Sequence, residues 1–179
     1  MSSDERRFEL LDERVVHDGR IFKLVIGRYR YPDGEVVERE YVRHTGAVAM
    51  VVHDDEHLYL VRQPREAIGD PDFLEIPAGR LDQEGEAPAE AAKRELAEEI
   101  GKAAERWEPI RTYVSSAGMS DEVIHIFHAT ALSDASAEAD HNERIEIVRW
   151  PLSDIDGAIA ATRDAKTIIG LSWLKADRS

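Results

Sequence analysis

The chain has 179 residues, 42% hydrophobic and 34% charged, within the usual range for one folded domain and unlike a disordered segment. A formal net charge of −14 argues against nucleic-acid binding, which needs clustered Lys and Arg against phosphates. No cysteine is present, so disulfides and thiolate chemistry are excluded, any metal must rest on oxygen or imidazole, and a cytoplasmic setting is expected.

The N-terminus, Met1 to Leu11, is charged and lacks the apolar core of an export signal. Residues 19–31 and 35–43 are predicted strands, joined at Tyr31-Pro32-Asp33-Gly34, a strong turn sequence. Two more strands are predicted at Ala47–Val52 and His57–Gln63, with Asp54-Asp55-Glu56 between them. Ala47–Val52 is the longest aliphatic run and is far too short to span a bilayer, so no membrane partner is expected. The run Phe73 to Ile76 ends at Pro77-Ala78-Gly79, which reads as a loop.

A helix is predicted over 88–100: Pro88 suits its first turn, Leu96 and Ile100 lie one turn apart, and Gly101 suits its C-terminal stop. Strands follow at 107–114, 122–131 and 144–150, with the polar stretch Ser133–Asn142 as a mobile loop. The tail reads as helical, with Ser153 and Asp156 as a variant capping box and an apolar face over Ile168–Leu174. His44, His125 and His128 lie in or beside strands and read as packing or hydrogen-bonding residues, whereas His53 and His57 flank a turn and read as solvated. The fold class is mixed α/β of the α+β type, with helices packed on sheets. Residues 1–43 form a small β extension, 44–179 the main domain, and His44-Thr45-Gly46 the junction.

The segment from Gly79 to Gly101 carries Glu84, Glu86, Glu90, Glu95, Glu98 and Glu99, with Arg94 among them. Glu95 and Glu99 share one helix face, and Glu98 lies beside them. Like charges so placed repel and destabilise a helix, but they suit a hard cation, which takes oxygen ligands. The plain alternative is a solvated face paired with Arg and Lys. Against it stand the tight Pro-Ala-Gly loop before the helix, the apolar anchors Leu96 and Ile100, and Arg94, placed to pair with Glu98 one turn on and orient it.

Gly79-x6-Glu86-x7-Arg94-Glu95-Leu96-x-Glu98-Glu99-x-Gly101 resembles the Nudix box, the loop–helix–loop signature of the Nudix hydrolases. It departs from the family pattern by one extra loop residue between Gly79 and Glu86 and by Lys102 at a position normally apolar. The resemblance implies a Nudix fold, with mixed sheets sandwiched by helices. It also implies magnesium, with manganese as a substitute, held by Glu95, Glu98, Glu99 and the Ala78 carbonyl. Glu86 and Arg94 become stabilisers of the helix and loop. The implied chemistry is metal-assisted substitution at a phosphoryl group, in which Glu98 counts as catalytic.

Three further segments resemble the ADP-ribose pyrophosphatase group of that family. Val61-Arg-Gln-Pro-Arg65 with Leu74-Glu-Ile-Pro-Ala-Gly79 matches its strand and entry loop, making Arg65 a forked donor to phosphate oxygens. Ser116-Ala-Gly-Met-Ser-Asp-Glu122 matches its downstream loop, although Ala117 stands where a proline is usual. The strands before Gly46 match its added domain, which in relatives exchanges between the subunits of a homodimer and contributes to the adenine site; Phe22, Tyr29, Tyr31 and Tyr41 supply aromatics there, read chiefly as packing. Arg43, Gly118 and Met119 are the further substrate-binding candidates. The group's catalytic base comes from a loop near the C-terminal strand, here Asp140-His-Asn-Glu-Arg-Ile145, and Glu143 is the expected base, with Asp140, His141 and Glu146 as rivals. The expected reaction is hydrolysis of ADP-ribose to AMP and ribose 5-phosphate. The alternatives are cleavage of another nucleotide sugar such as GDP-mannose, and a Nudix-like sensor that binds without cleaving.

Overall fold

The structure, a computed structural model, describes residues 7–136 and 144–179. The chain divides into two compact units, Met1–Gly46 with Val114–Val123, and Ala47–Tyr113 with Ile124–Ser179.

In the first unit β1 (Glu9–Asp18), β2 (Phe22–Arg30) and β3 (Val36–His44) form an antiparallel sheet in that order. The β2–β3 turn falls at Tyr31–Gly34 as its sequence requires: Gly34 has φ +89°, and its N–H donates to the Tyr31 carbonyl at 2.9 Å. The sequence does not announce β1. It is exposed along nearly its whole length and shows no apolar alternation. Its register rests on charge instead, because Glu9, Asp12 and Asp18 lie opposite Arg30, Arg28 and Lys23 and pair with them at 3.1, 3.4 and 3.1 Å. The segment 114–123 joins β3 through Val42, whose N–H donates to the Met119 carbonyl and whose carbonyl accepts from Asp121.

The second unit contains β4 (Ala47–His53), β5 (His57–Arg65), β6 (Asp70–Glu75), β7 (Ala78–Arg80), α1 (Pro88–Ile100), β8 (Lys102–Val114), β9 (Val123–Asp134), β10 (Glu146–Pro151), α2 (Ile155–Ala161) and α3 (Ala165–Asp177). Its sheet runs β10-β5-β4-β9-β8, with β6 paired to β5 and β7 to β4. The β4–β9 pair is parallel, whereas β4–β5, β4–β7, β5–β6 and β5–β10 are antiparallel, so the sheet is mixed as expected.

Alternation along β4 builds a core on each face. Ala49 and Val51 join Leu58, Leu60, Ile76, Ile126, Leu171 and Leu174 beneath α2 and α3. Val48, Met50 and Val52 join Val61, Ala91, Ala92, Leu96 and Ile100 beneath α1. The sheet is therefore sandwiched between helices. Burial this complete is the main stabilising term, about 1.5–3 kcal/mol for each large aliphatic side chain. A β-carbon on Gly170 would lie 2.6 Å from Val51 Cγ2, so α3 needs a glycine where it crosses β4.

Several boundaries and one side-chain environment differ from the sequence reading. Ala78–Arg80 is a short strand where a loop was expected, because Ala47–Ala49 supplies a pairing edge the local sequence does not reveal. β8 begins at Lys102 and not at 107, and β9 runs on to Asp134, into the expected polar loop. Asp154, not Ser153, caps α2 by accepting from the Gly157 N–H at 3.1 Å. His53, expected to be solvated, is half-buried: its Nε2 lies 3.0 Å from Nε2 of His128 and the two rings stack.

Candidate active site on the acidic helix

The loop and helix that carry the acidic residues lie wholly in the second unit. Pro88 opens α1 without a side-chain cap, and Gly101, at φ +64°, closes it by donating its N–H to the Ala97 carbonyl. Ala91, Ala92, Leu96 and Ile100 face the core. The remaining face carries Arg94, Glu95, Glu98 and Glu99.

Arg94 organises this face. Its Nε and Nη2 each donate to Glu86 at 3.0 Å, a two-point clamp between the helix and the loop before it. Its Nη1 donates to Glu95 Oε1 at 2.7 Å and to Glu98 Oε2 at 3.0 Å. The predicted pairing of Arg94 with Glu98 is present. The Arg94 hydrogen bonds hold the Glu86 carboxyl below its ordinary pKa, and Glu86 in turn raises that of Arg94. Glu99 reaches back to the loop, where its Oε2 accepts from the Ala78 N–H at 3.0 Å. Gly79 closes the arrangement: a β-carbon there would overlap the Glu95 carboxylate, so only glycine admits that carboxylate to its place.

Ala78, Glu95, Glu98 and Glu99 are thus brought together from a loop-strand and a helix about twenty residues apart in sequence. The donor set is all oxygen, as a hard divalent cation requires, and the Gly79 cradle keeps one carboxylate against the loop. Among the described residues no three His, Asp or Glu side chains form a finished metal cage; Glu95 and Glu98 share the Arg94 guanidinium instead.

Arg65, expected as a phosphate donor, is 41% exposed at the end of β5 and is gripped by Glu75, which is only 1% exposed. Its Nε and Nη2 meet Glu75 Oε1 at 2.7 and 2.6 Å. Glu75 also pairs with Lys166. Sequence reasoning passed over Glu75, and the signal was present: a charged residue inside the apolar run Phe73-Leu74-Glu75-Ile76.

Arg43, Gly118 and Met119 belong to the first unit. Arg43 is tied to Glu13 at 2.6 Å and Asp121 at 2.8 Å and lies over the Tyr41 ring at 4.9 Å. Asp121 also accepts from the His44 N–H, which fixes the loop bearing Gly118 and Met119 against β3. Met119 is exposed, and Gly118 faces open space. Glu143, Asp140 and His141 lie outside the described residues. Glu146, the remaining rival, is an exposed residue of β10 opposite Arg62.

Residues 43–169 match the NUDIX domain model, and the chain belongs to the NUDIX family of hydrolases. It is 38% identical to the ADP-ribose pyrophosphatase of Mycobacterium tuberculosis, over 82% of this chain and 71% of that protein. It is 34% identical to the methanol dehydrogenase activator of Bacillus methanolicus, over 89% and 88% of the two chains. Among solved structures it resembles an ADP compounds hydrolase with TM-score 0.82 and 26% identity, covering 98% of this chain and 96% of that one. The Nudix fold expected from the box is therefore the fold of this protein. No helix among the described residues is long and apolar enough to cross a membrane.

Proposed function

We propose that this hydrolase splits the pyrophosphate of a nucleoside diphosphate sugar, and that ADP-ribose is its substrate, giving AMP and ribose 5-phosphate. The observation that carries the reading is the placing of Glu95 against Gly79 and of Glu99 against Ala78, with Glu98 sharing Arg94 with Glu95, in a chain 38% identical to an ADP-ribose pyrophosphatase. Water adds across one P–O bond of the bridge. Its oxygen joins one phosphorus, and the bridging oxygen leaves with the other phosphate.

When bound, magnesium, with manganese as a substitute, would supply charge neutralisation and a more acidic water. Glu95, Glu98 and Glu99, with the Ala78 carbonyl, are the residues that would hold it. Arg94 keeps two of those carboxylates oriented, anchored by Glu86. Glu143 accepts the proton of the attacking water, and Arg65 donates to a phosphate oxygen. Arg43, Gly118 and Met119 are the further substrate-binding candidates.

The extension of residues 1–43 is a dimerisation element. Its exposed apolar side chains, Phe8, Leu10, Val15, Val16, Ile21 and Phe22, support a second copy as the occupant of that sheet. A cytoplasmic setting completes the reading and suits a chain without cysteine.

The test is a panel of nucleotide sugars assayed with magnesium, with products separated chromatographically. ADP-ribose is expected to give AMP and ribose 5-phosphate. Cleavage of GDP-sugars with ADP-ribose spared would overturn the substrate, and no cleavage of any member would overturn the enzyme. Glu98→Gln and Glu99→Gln are expected to lower turnover by roughly 10²-fold or more with the circular dichroism spectrum retained, since charge stabilisation by a cation supplies several kcal/mol.

A further inference from the structure

The buried carboxylate of Glu75 takes no part in the proposed reaction, yet it grips Arg65, the proposed phosphate donor. We propose that Glu75 is a positioning residue: it holds one edge of the Arg65 guanidinium so that the rest of the fork is presented to a phosphate oxygen of the nucleoside diphosphate. The inference rests on the assignment of Arg65 as a phosphate donor and goes beyond it by naming what aims that donor.

Glu75 Oε1 takes both Nε and Nη2 of Arg65, at 2.7 and 2.6 Å, leaving Nη1 outside the pair. An arginine has five N–H donors in a planar fork, so a carboxylate on one edge sets the direction of the others without consuming them. Glu75 Oε2 pairs with Lys166, which also meets Asp164 at 3.0 Å. Each carboxylate oxygen therefore has its own cation, which is what allows a charge to stay buried.

The backbone around Glu75 is fastened as well. The Ile76 N–H donates to Thr167 Oγ1 at 2.8 Å, and the Leu74 carbonyl accepts from Thr162 Oγ1 at 2.7 Å. Thr167 in turn donates, through N–H and hydroxyl, to Asp164, the cap of α3. Glu75 is thus held by α3 and its preceding linker, and the long flexible side chain of Arg65 acquires a fixed direction from it. Glu75 closes β6, and two residues on the chain enters Pro77-Ala78-Gly79, so the residue that grips the fork lies next in sequence to the loop beside the carboxylates.

Steady-state kinetics with ADP-ribose and magnesium test this on five proteins: wild type, Arg65→Ala, Glu75→Gln, the double variant and Lys166→Gln. The expected result is a KM raised about tenfold or more by Arg65→Ala and by Glu75→Gln, with no further rise in the double variant. Lys166→Gln, which leaves the Arg65–Glu75 pair in place, is expected to lower Tm without moving KM. A KM unchanged in Glu75→Gln but raised in Arg65→Ala overturns the positioning role alone. An unchanged KM in Arg65→Ala overturns the phosphate assignment and the inference with it, and an equal rise in Lys166→Gln marks a structural role only. Should Glu75→Gln not fold, the half-exposed Arg65→Lys decides. It keeps the charge but loses the two-point pairing with Glu75, so a KM as high as that of Arg65→Ala, unrelieved by the retained charge, is the expected result, and a native KM overturns the proposal.

Discussion

Gly79 is defined by what it lacks. The Glu95 carboxylate occupies the volume its β-carbon would need, so the glycine acts on a side chain sixteen positions later and not on the local backbone. Gly79→Ala is expected to expel that carboxylate and lower kcat by at least roughly tenfold, with Tm changed little, because the displaced group moves toward solvent instead of leaving a hole in the core. Titration with manganese, followed by electron paramagnetic resonance, should show weaker binding in the same variant. Unaltered binding and turnover would mean that Glu95 does not need its present place. Arg94 illustrates the same economy of position: one guanidinium meets Glu86, Glu95 and Glu98, so three negative charges on a short segment share a cation already present in the chain.

At the scale of elements, α3 meets β4 and β9 through a cluster of packed rings. His128 on β9 is packed against His53 at the end of β4 and against Trp173 of α3, with ring centroids 5.0 Å apart in each case. Burial, and then the neighbouring His53, hold the His128 pKa below 6.5. The folded state therefore binds fewer protons than the unfolded chain as pH falls past 6.5, and stability is lost down to the folded-state pKa. Urea unfolding at pH 7.5 and pH 5.5 should show a drop in stability in the wild type that is smaller in His128→Phe. An equal drop in both would place the pH dependence elsewhere. The strands β8 and β9 show a different lesson. Both are longer than their apolar alternation predicts, since pairing with a neighbour carries the backbone past the residues that pack.

For the whole molecule, the first unit poses the larger question. A three-stranded sheet whose outer strand is exposed nearly throughout has little core of its own: Val25, at 1% exposure, is the side chain it buries most fully among its large apolar residues. The proposed second copy supplies the missing surface. Sedimentation equilibrium is expected to give a dimer for the wild type and a monomer for the double substitution Val15→Lys with Phe22→Glu. A monomeric wild type would sink the proposal. The net charge of −14 sits uneasily with the proposed anionic substrate, and cations held as proposed in the acidic site would reverse the local field.

The acidic helix, its glycine stop and the turn at Tyr31–Gly34 were legible in the linear chain, because each depends on short-range spacing: turn residues at fixed offsets, apolar positions one helical turn apart, and a motif complete within Gly79–Gly101, whose family resemblance also implied the helix-sandwiched mixed sheet. Folding alone decided that Glu75 grips Arg65, that Asp121 ties its loop to Arg43, that His53 stacks on His128, and that β1 exists at all. Those contacts join residues far apart in the chain or rest on charges that leave no periodic trace. Their partners become neighbours only when strands pair and helices dock.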